Sequence, residues 1–197
     1  MKTTVLALAL IANSLLGGIE TLGFQTPPTS STPKIHVDAT YDKKKNVTKL
    51  FLQPLLLWSN RQPDSFDQVR LFVGFEVPGT KIVKPKAVLF HFSASSSNVI
   101  SFQSFEVSVL IDGTLVELGK LKGDQRRQIN SPRSMIVYDD EWITISYEDF
   151  TRIATADSVT IIVGKRKFEL AGRQVRSLRE FHALMQREGQ ELNKPAE

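Results

Sequence analysis

The sequence predicts an α+β fold that is mainly antiparallel β, a sandwich or a curved sheet, with a short helix and a C-terminal amphipathic helix packed on the sheet. Three observations lead to this prediction. Roughly eight or nine short segments alternate apolar and polar residues, turn signals recur about every ten residues, and helical periodicity appears only near the C-terminus. Because no helices separate the early strands, a doubly wound parallel sheet is disfavoured.

The composition is that of a globular protein with one domain. With 197 residues, 41% of them hydrophobic, the chain is long enough to bury a core and too apolar for wholesale disorder. The formal net charge is +4, but the basic residues are scattered rather than gathered on one element, which argues against nucleic acid as a partner. The chain has no cysteine, so a disulfide framework and thiol chemistry are excluded.

The N-terminus has the pattern of a secretory signal peptide. Met1-Lys2 precedes an apolar run over residues 5–11 that is too short to span a bilayer. The predicted location is therefore secreted or periplasmic, with no transmembrane helix in the mature chain. We divide the chain into a signal peptide (1–23), a Pro/Ser/Thr linker (24–33), a single β-rich globular domain (34–188) and a polar tail (189–197).

Alternating residues predict most of the strands. They cover residues 35–42, 47–58, 68–77, 87–92, 105–111, 114–118 and 135–138. Pro54 interrupts the second strand, which is therefore an edge strand or carries a bulge. Asp112-Gly113 is the strongest hairpin signal, and its return strand brings Leu118 beside Val107. The polar run over 123–133 is interpreted as a loop.

A strand and a short helix follow that loop. Trp142 to Ser146 alternates as a half-buried strand does. Ser146 and Asp149 resemble a capping box, with Ile145 and Phe150 placed as a hydrophobic staple. This signature predicts a helix over residues 148–156.

The C-terminal region continues with a hairpin and a longer helix. Gly164-Lys165 suits a type II′ turn that joins strands over 159–163 and 166–170. The last helix, over 173–187, should lie on the sheet because it carries one apolar stripe. The stripe consists of Val175, Leu178, Phe181, Leu184 and Met185. Since a cap, a turn and a stripe explain this region, we interpret it as a folding anchor rather than an active site.

The three histidines, His36, His91 and His182, lie in separate elements and have no neighbours at metal-binding spacing. His91 lies between Phe90 and Phe92 on a strand and therefore faces away from both aromatic rings. We interpret it as a solvent-facing histidine. The sequence indicates neither a metal site nor a cofactor.

The densest acidic cluster is Asp139-Asp140-Glu141. Adjacent residues of an extended chain point to opposite faces and seldom converge on one cation, so we interpret the cluster as a solvated turn. The run Ser93 to Asn98 lacks a Gly-x-Ser-x-Gly elbow and is interpreted as a flexible loop. No catalytic, cofactor-binding or metal-binding residue is predicted.

Three other features allow a functional interpretation beside a structural one. The aromatic residues Trp58, Phe66, Phe72 and Phe90 line a ligand groove or, as is commoner for alternate strand positions, the core. The basic run over 120–133 contacts an anionic surface or is simply solvated. Asn46-Val47-Thr48 matches a glycosylation acceptor or ends a lysine-rich turn.

Some segments together carry a resemblance to known proteins. They are Tyr41 to Lys44, Val109 to Gly113, Tyr147 to Phe150 with Ile153-Ala154, and the hairpin over 159–170. In this combination the chain resembles uncharacterised exported bacterial proteins, over most of its length after the linker. The resemblance implies a fold and a compartment, and it transfers no functional residue.

Three hypotheses for function follow, from different classes. The leading one is an exported non-enzymatic domain that binds a protein or a cell-envelope component, because a catalytic motif is missing and a long strand with a proline could accept a partner. The alternative is a hydrolase acting on an extracellular polymer through Glu76, Asp140 or Glu148. The third is a carrier of a small apolar ligand between sheet and helix. The irregular segments 59–66 and 120–133 are the preferred places for a site.

Overall fold

The computed structural model describes residues 35–59, 66–96, 105–131 and 134–192, with backbone only for 59, 124–131, 134 and 135. The predicted signal peptide and linker therefore lie outside the described residues. So does most of the irregular segment 59–66.

The described residues form strands and two helices. The strands are β1 (Val37–Asp42), β2 (Val47–Ser59), β3 (Gln68–Pro78), β4 (Ala87–Ser96), β5 (Glu106–Ile111), β6 (Thr114–Lys120), β7 (Lys122–Ser131), β8 (Ser134–Ser146), β9 (Val159–Val163) and β10 (Arg166–Glu169). The helices are α1 (Tyr147–Thr155) and α2 (Gly172–Met185).

The strands make two antiparallel sheets. The larger sheet has six strands in the order β1-β2-β3-β4-β8-β7, and the smaller one has four in the order β10-β9-β5-β6. A mainly antiparallel β fold with a short helix and a C-terminal helix is the predicted fold class, which is confirmed.

Both sheets and both helices contribute to one apolar core. Phe150 of α1 lies edge-on to Phe90 of β4 and to Phe181 of α2, with ring centroids 6.2 and 6.4 Å apart. Phe181 also contacts Phe75 of β3 at 5.4 Å. The helices are thus bound to the large sheet through aromatic rings, each of which adds stabilisation beyond the area it buries.

The start of α1 is the one predicted from the sequence. The Ser146 side chain accepts a hydrogen bond from the Asp149 N–H at 3.0 Å, and both staple residues, Ile145 and Phe150, are buried. Because Ser146 is both the last residue of β8 and the N-cap of α1, strand and helix are joined without a loop.

The apolar stripe of α2 is buried at Val175, Leu178, Phe181 and Met185, as predicted. Leu184 is only half-buried, and His182 is buried instead. A side chain at 182 lies one position beyond Phe181 and four beyond Leu178, so it falls within the same wide stripe.

The two predicted hairpins are present. Asp112 and Gly113 both have positive φ (46° and 84°), and Gly164 has φ 58° with Ile161 paired to Phe168. The predicted neighbour of Val107 is wrong. A bulge places Gly119, at φ 120°, opposite Val107 in the position expected for Leu118.

The proline in β2 is accommodated by a bulge. The pairing of β2 with β3 shifts register between Leu52 and Leu55, around Pro54. β1 pairs with Val47 to Leu52 of β2, so Pro54 lies just beyond the paired stretch. The bulge and this local edge position together accommodate a residue without an N–H.

Three polar segments predicted as loops or turns belong to the large sheet. Ser93 to Ser96 extend β4, the run over 123–131 lies in β7, and Asp139 to Glu141 lie in the middle of β8. The interpretation as loops is wrong because β8 pairs with β4 on one side and with β7 on the other. Backbone hydrogen bonds to these neighbouring strands hold the polar segments extended, although their sequences lack the apolar alternation that would predict a strand. Asp139 and Glu141 are buried.

Residues 190–192, which follow the predicted end of the domain at 188, form backbone hydrogen bonds with the loop that precedes β4. Ile82 N–H donates to the Gln190 carbonyl at 3.0 Å, and Leu192 N–H donates to the Thr80 carbonyl at 2.9 Å. This pairing fixes the segment that contains Ile82 beside the large sheet.

Candidate functional site

One face of the six-stranded sheet is turned away from the core, and we call it the outer face. Its side chains alternate along β3 and β4 with the buried core residues. Phe51, Gly74, Leu89 and Thr144 follow one another in register across β2, β3, β4 and β8. This row places two large apolar side chains, Phe51 and Leu89, where they are only half-buried.

The outer face contains a groove of about 590 Å³. Strand residues form its floor, and the segment 83–87 forms one wall. Gly74 is required at the floor, because a Cβ there would overlap the Phe51 ring and lie 2.9 Å from the Leu50 carbonyl oxygen. The lining residues are Phe51, Gly74, Phe75, Glu76, Val77, Pro78, Val83, Lys84, Pro85, Lys86, Ala87, Leu89 and Thr144.

The charged residues of the groove are two lysines and one glutamate. Glu76 lies 3.3 Å from the Lys49 ammonium, so its charge already has a partner. Lys84 and Lys86 are exposed on the wall, with Val83 beside them at 46% exposure. The groove is thus mainly apolar with an excess of positive charge.

A second row on the outer face is aromatic. Phe72, His91 and Trp142 are register neighbours on β3, β4 and β8. The Phe72 and His91 rings stack with centroids 5.2 Å apart, and Trp142 is 41% exposed. His91 faces away from Phe90 and Phe92 as predicted, and its Nε2 lies 3.2 Å from the Asp140 carboxylate.

A separate cleft of about 510 Å³ lies beside the two helices and contains His182, Glu148 and Lys84. Thr151 Oγ1 donates to the Tyr147 carbonyl at 2.8 Å and lies 3.2 Å from His182 Nε2, which also faces the Gln186 amide nitrogen at 3.5 Å. Burial, and to a smaller extent the Lys84 ammonium, lowers the pKa of His182. The contact between His182 and Thr151 links α2 to α1.

The three carboxylates proposed for a hydrolase are not brought together. Asp140 shares a cross-strand row with Ser93 and Arg70, six residues along β3 from Glu76. That separation corresponds to about 20 Å, whereas paired glycosidase carboxylates lie roughly 5 to 9.5 Å apart. Glu148 lies in the helix cleft instead. Among the described residues, no group of three His, Cys, Asp or Glu side chains is arranged to hold a metal ion.

The candidate aromatic residues divide between core and surface. Phe66 and Phe90 are buried, as the structural interpretation expected. Phe72 is on the outer face, and Trp58 is 37% exposed with its indole N–H donating to the Phe66 carbonyl at 3.1 Å. The space between sheet and helices, expected for an apolar ligand, is filled by Phe90, Phe150 and Phe181.

Sequence reasoning missed the groove residues. Phe51 lies in the fully apolar run Leu50 to Leu52, which does not show which side chain faces the core. The segment Val83-Lys84-Pro85-Lys86 carried a usable signal, since alternate lysines beside exposed apolar residues are typical of an amphipathic surface.

Comparison of the chain with protein-family models, with curated proteins and with solved structures finds no match. Across the described ranges, neither helix is long and apolar enough to cross a membrane.

Proposed function

We propose that this chain is an exported, non-enzymatic domain that binds a protein or a cell-envelope component through the outer face of its six-stranded sheet. The observation that carries the proposal is the pair of adjacent rows on that face. They place Trp142, which is 41% exposed, on the same face as the half-buried side chains of Phe51, Leu89 and Phe72. A contiguous, partly exposed apolar patch of this kind marks an interaction surface.

The outer face suits a partner better than the β1 edge of the sheet does. The edge strand β1 is six residues long and carries Asp38, which lies 3.1 Å from His36. Short edge strands with charged side chains discourage the addition of another strand. The outer face instead offers aromatic anchors with polar neighbours, the composition of an interface core and its rim.

Export rests on the N-terminal sequence. A short basic start and an apolar run precede a linker, which is the order of a secreted or periplasmic protein. Expression of the full chain with mass spectrometry of the exported product tests this step. A new N-terminus within about the first 23 residues is expected, and retention of Met1 in the cytoplasm would contradict export.

Binding is tested by co-sedimentation of the folded domain with isolated bacterial envelopes. The double variant Trp142→Ser/Leu89→Gln should lower the affinity for envelopes, measured as the concentration needed for half-maximal sedimentation, by about thirtyfold. This change corresponds to a loss of roughly 2 kcal/mol of binding free energy, the contribution of one strong anchor residue. Leu115→Ser is the matched control, since Leu115 is 57% exposed on the small sheet. Equal sedimentation of both variants, or none by the wild type, would refute binding through the outer face.

A further inference from the structure

We infer that the groove on the outer face binds a free single-chain anionic amphiphile, with its alkyl chain on Phe51, Val83 and Leu89 and its carboxylate at Lys84 and Lys86. The inference goes beyond the proposed function, because it adds a small-molecule ligand to one part of the same face. It is argued from the shape, the apolar lining and the charge of the groove.

The shape favours a small ligand. A volume of about 590 Å³ falls in the range of roughly 300 to 1,000 Å³ that is usual for small-molecule sites. The wall over 83–87 is held at both ends, since the Tyr147 N–H donates to the Lys86 carbonyl at 3.2 Å and Ile82 is bonded to Gln190. The groove is thus formed before a ligand arrives, and little ordering is needed on binding.

The lining favours an alkyl chain. Val83 is 46% exposed, and Phe51 and Leu89 are half-buried, so an apolar ligand would remove these surfaces from water together. Each methylene that is fully buried improves affinity about fourfold. Because the groove is open on one side, we expect about twofold per methylene, or roughly fifteenfold for four.

The charge favours an anion at one end. Glu76, the carboxylate of the lining, is already paired with Lys49 at 3.3 Å. Lys84 and Lys86 then leave an excess of positive charge on the wall, and Lys84 lies 5.1 Å from the Tyr147 ring centroid, at the border with the helix cleft. A carboxylate beside two ammonium groups is favoured, and a cationic headgroup is repelled.

The test is isothermal titration of the folded domain with monomeric probes below their micelle concentrations. Dodecanoate should bind at least about tenfold more tightly than octanoate and than dodecyltrimethylammonium. The variant Lys84→Gln/Lys86→Gln should weaken dodecanoate about tenfold and leave the neutral dodecyl maltoside unchanged. Lys81→Gln is the control, because Lys81 is exposed on the same segment but does not line the groove.

A variant of the floor separates the apolar from the electrostatic contribution. Leu89→Asp should abolish binding of dodecanoate and of dodecyl maltoside while far-UV circular dichroism stays that of the wild type. Leu89 is half-buried and faces away from the core, so the substitution leaves the core side chains in place, and the circular dichroism spectrum checks that the variant folds. Undiminished binding by this variant would place the ligand elsewhere and overturn the inference.

Other outcomes also decide against the amphiphile. Equal affinity for octanoate and dodecanoate, an unaffected lysine double variant, or binding to anionic vesicles without binding to dodecanoate would each overturn it. If the domain still sediments with envelopes in a manner that depends on Trp142, the proposed function survives this result. If sedimentation is lost as well, both fail.

Discussion

Leu178 lies at the centre of the buried stripe of α2, and its side chain has 0% exposure. Truncation to alanine removes most of a fully buried leucine, whose transfer from water contributes about 1.5 to 3 kcal/mol. A cavity remains, since Phe181 of the same helix is packed against Phe75 of β3 and Phe150 of α1, and α2 therefore cannot collapse freely into the space. Transfer and cavity together give an expected loss of about 2 to 5 kcal/mol in the free energy of unfolding.

The assay is urea unfolding of wild type, Leu178→Ala and Leu184→Ala, each followed by circular dichroism. Leu184 is on the same helix but only half-buried, so its truncation should cost clearly less. An unchanged m-value with a lower midpoint would show that stability alone has changed. A loss below about 1 kcal/mol for Leu178→Ala, or equal losses for both variants, would mean that α2 lies outside the cooperative core.

Three further predictions concern a close approach, a cap and a titration. Gly74→Ala should destabilise by about 1 to 3 kcal/mol in urea, because the new Cβ meets Phe51 and backbone that cannot move away. Ser146→Ala should cost about 0.5 to 2 kcal/mol in the same assay through loss of the N-cap. The pKa of His182 is lowered on folding, so as pH falls below its ordinary 6.5 the unfolded state takes up protons first and stability declines. His182→Gln should reduce this decline between about pH 7.5 and 5.5.

Each of these has an outcome that contradicts it. Gly74→Ala with wild-type stability would mean that the Phe51 ring does not lie on the floor of the groove. Ser177, whose hydroxyl bonds within α2, provides the comparison. If Ser146→Ala lowers the free energy of unfolding no more than Ser177→Ala does, the N-cap does not stabilise α1. An identical dependence on pH in His182→Gln and wild type would assign the decline to other groups.

Local chemistry made part of the fold predictable. Asp112-Gly113, Gly164-Lys165 and Ser146 each act within a few residues, so their turns and cap could be identified without knowing what surrounds them. The stripe of α2 was equally visible because its period is local.

Strands held by their neighbours were not predictable in the same way. Residues 122–131 and 139–141 lack apolar alternation, and their extended form comes from pairing with strands distant in sequence. The residues of the candidate site could not be predicted from the sequence, for a related reason. Phe51 and Leu89 resemble core residues until the register shows which face of the sheet each one occupies.

The connection of the two sheets has a consequence for the timing of folding. The chain completes four strands of the large sheet, leaves for β5 and β6, returns for β7 and β8, and only then adds β9 and β10. The pairing of Val107 with Val163, and that of Ala87 with Ser146, each join residues more than 50 positions apart in the sequence. Such distant pairings are slow because a long loop must close first. A nascent chain that lacks β9 cannot complete its core, so folding of the whole domain has to await synthesis of Val159 to Val163.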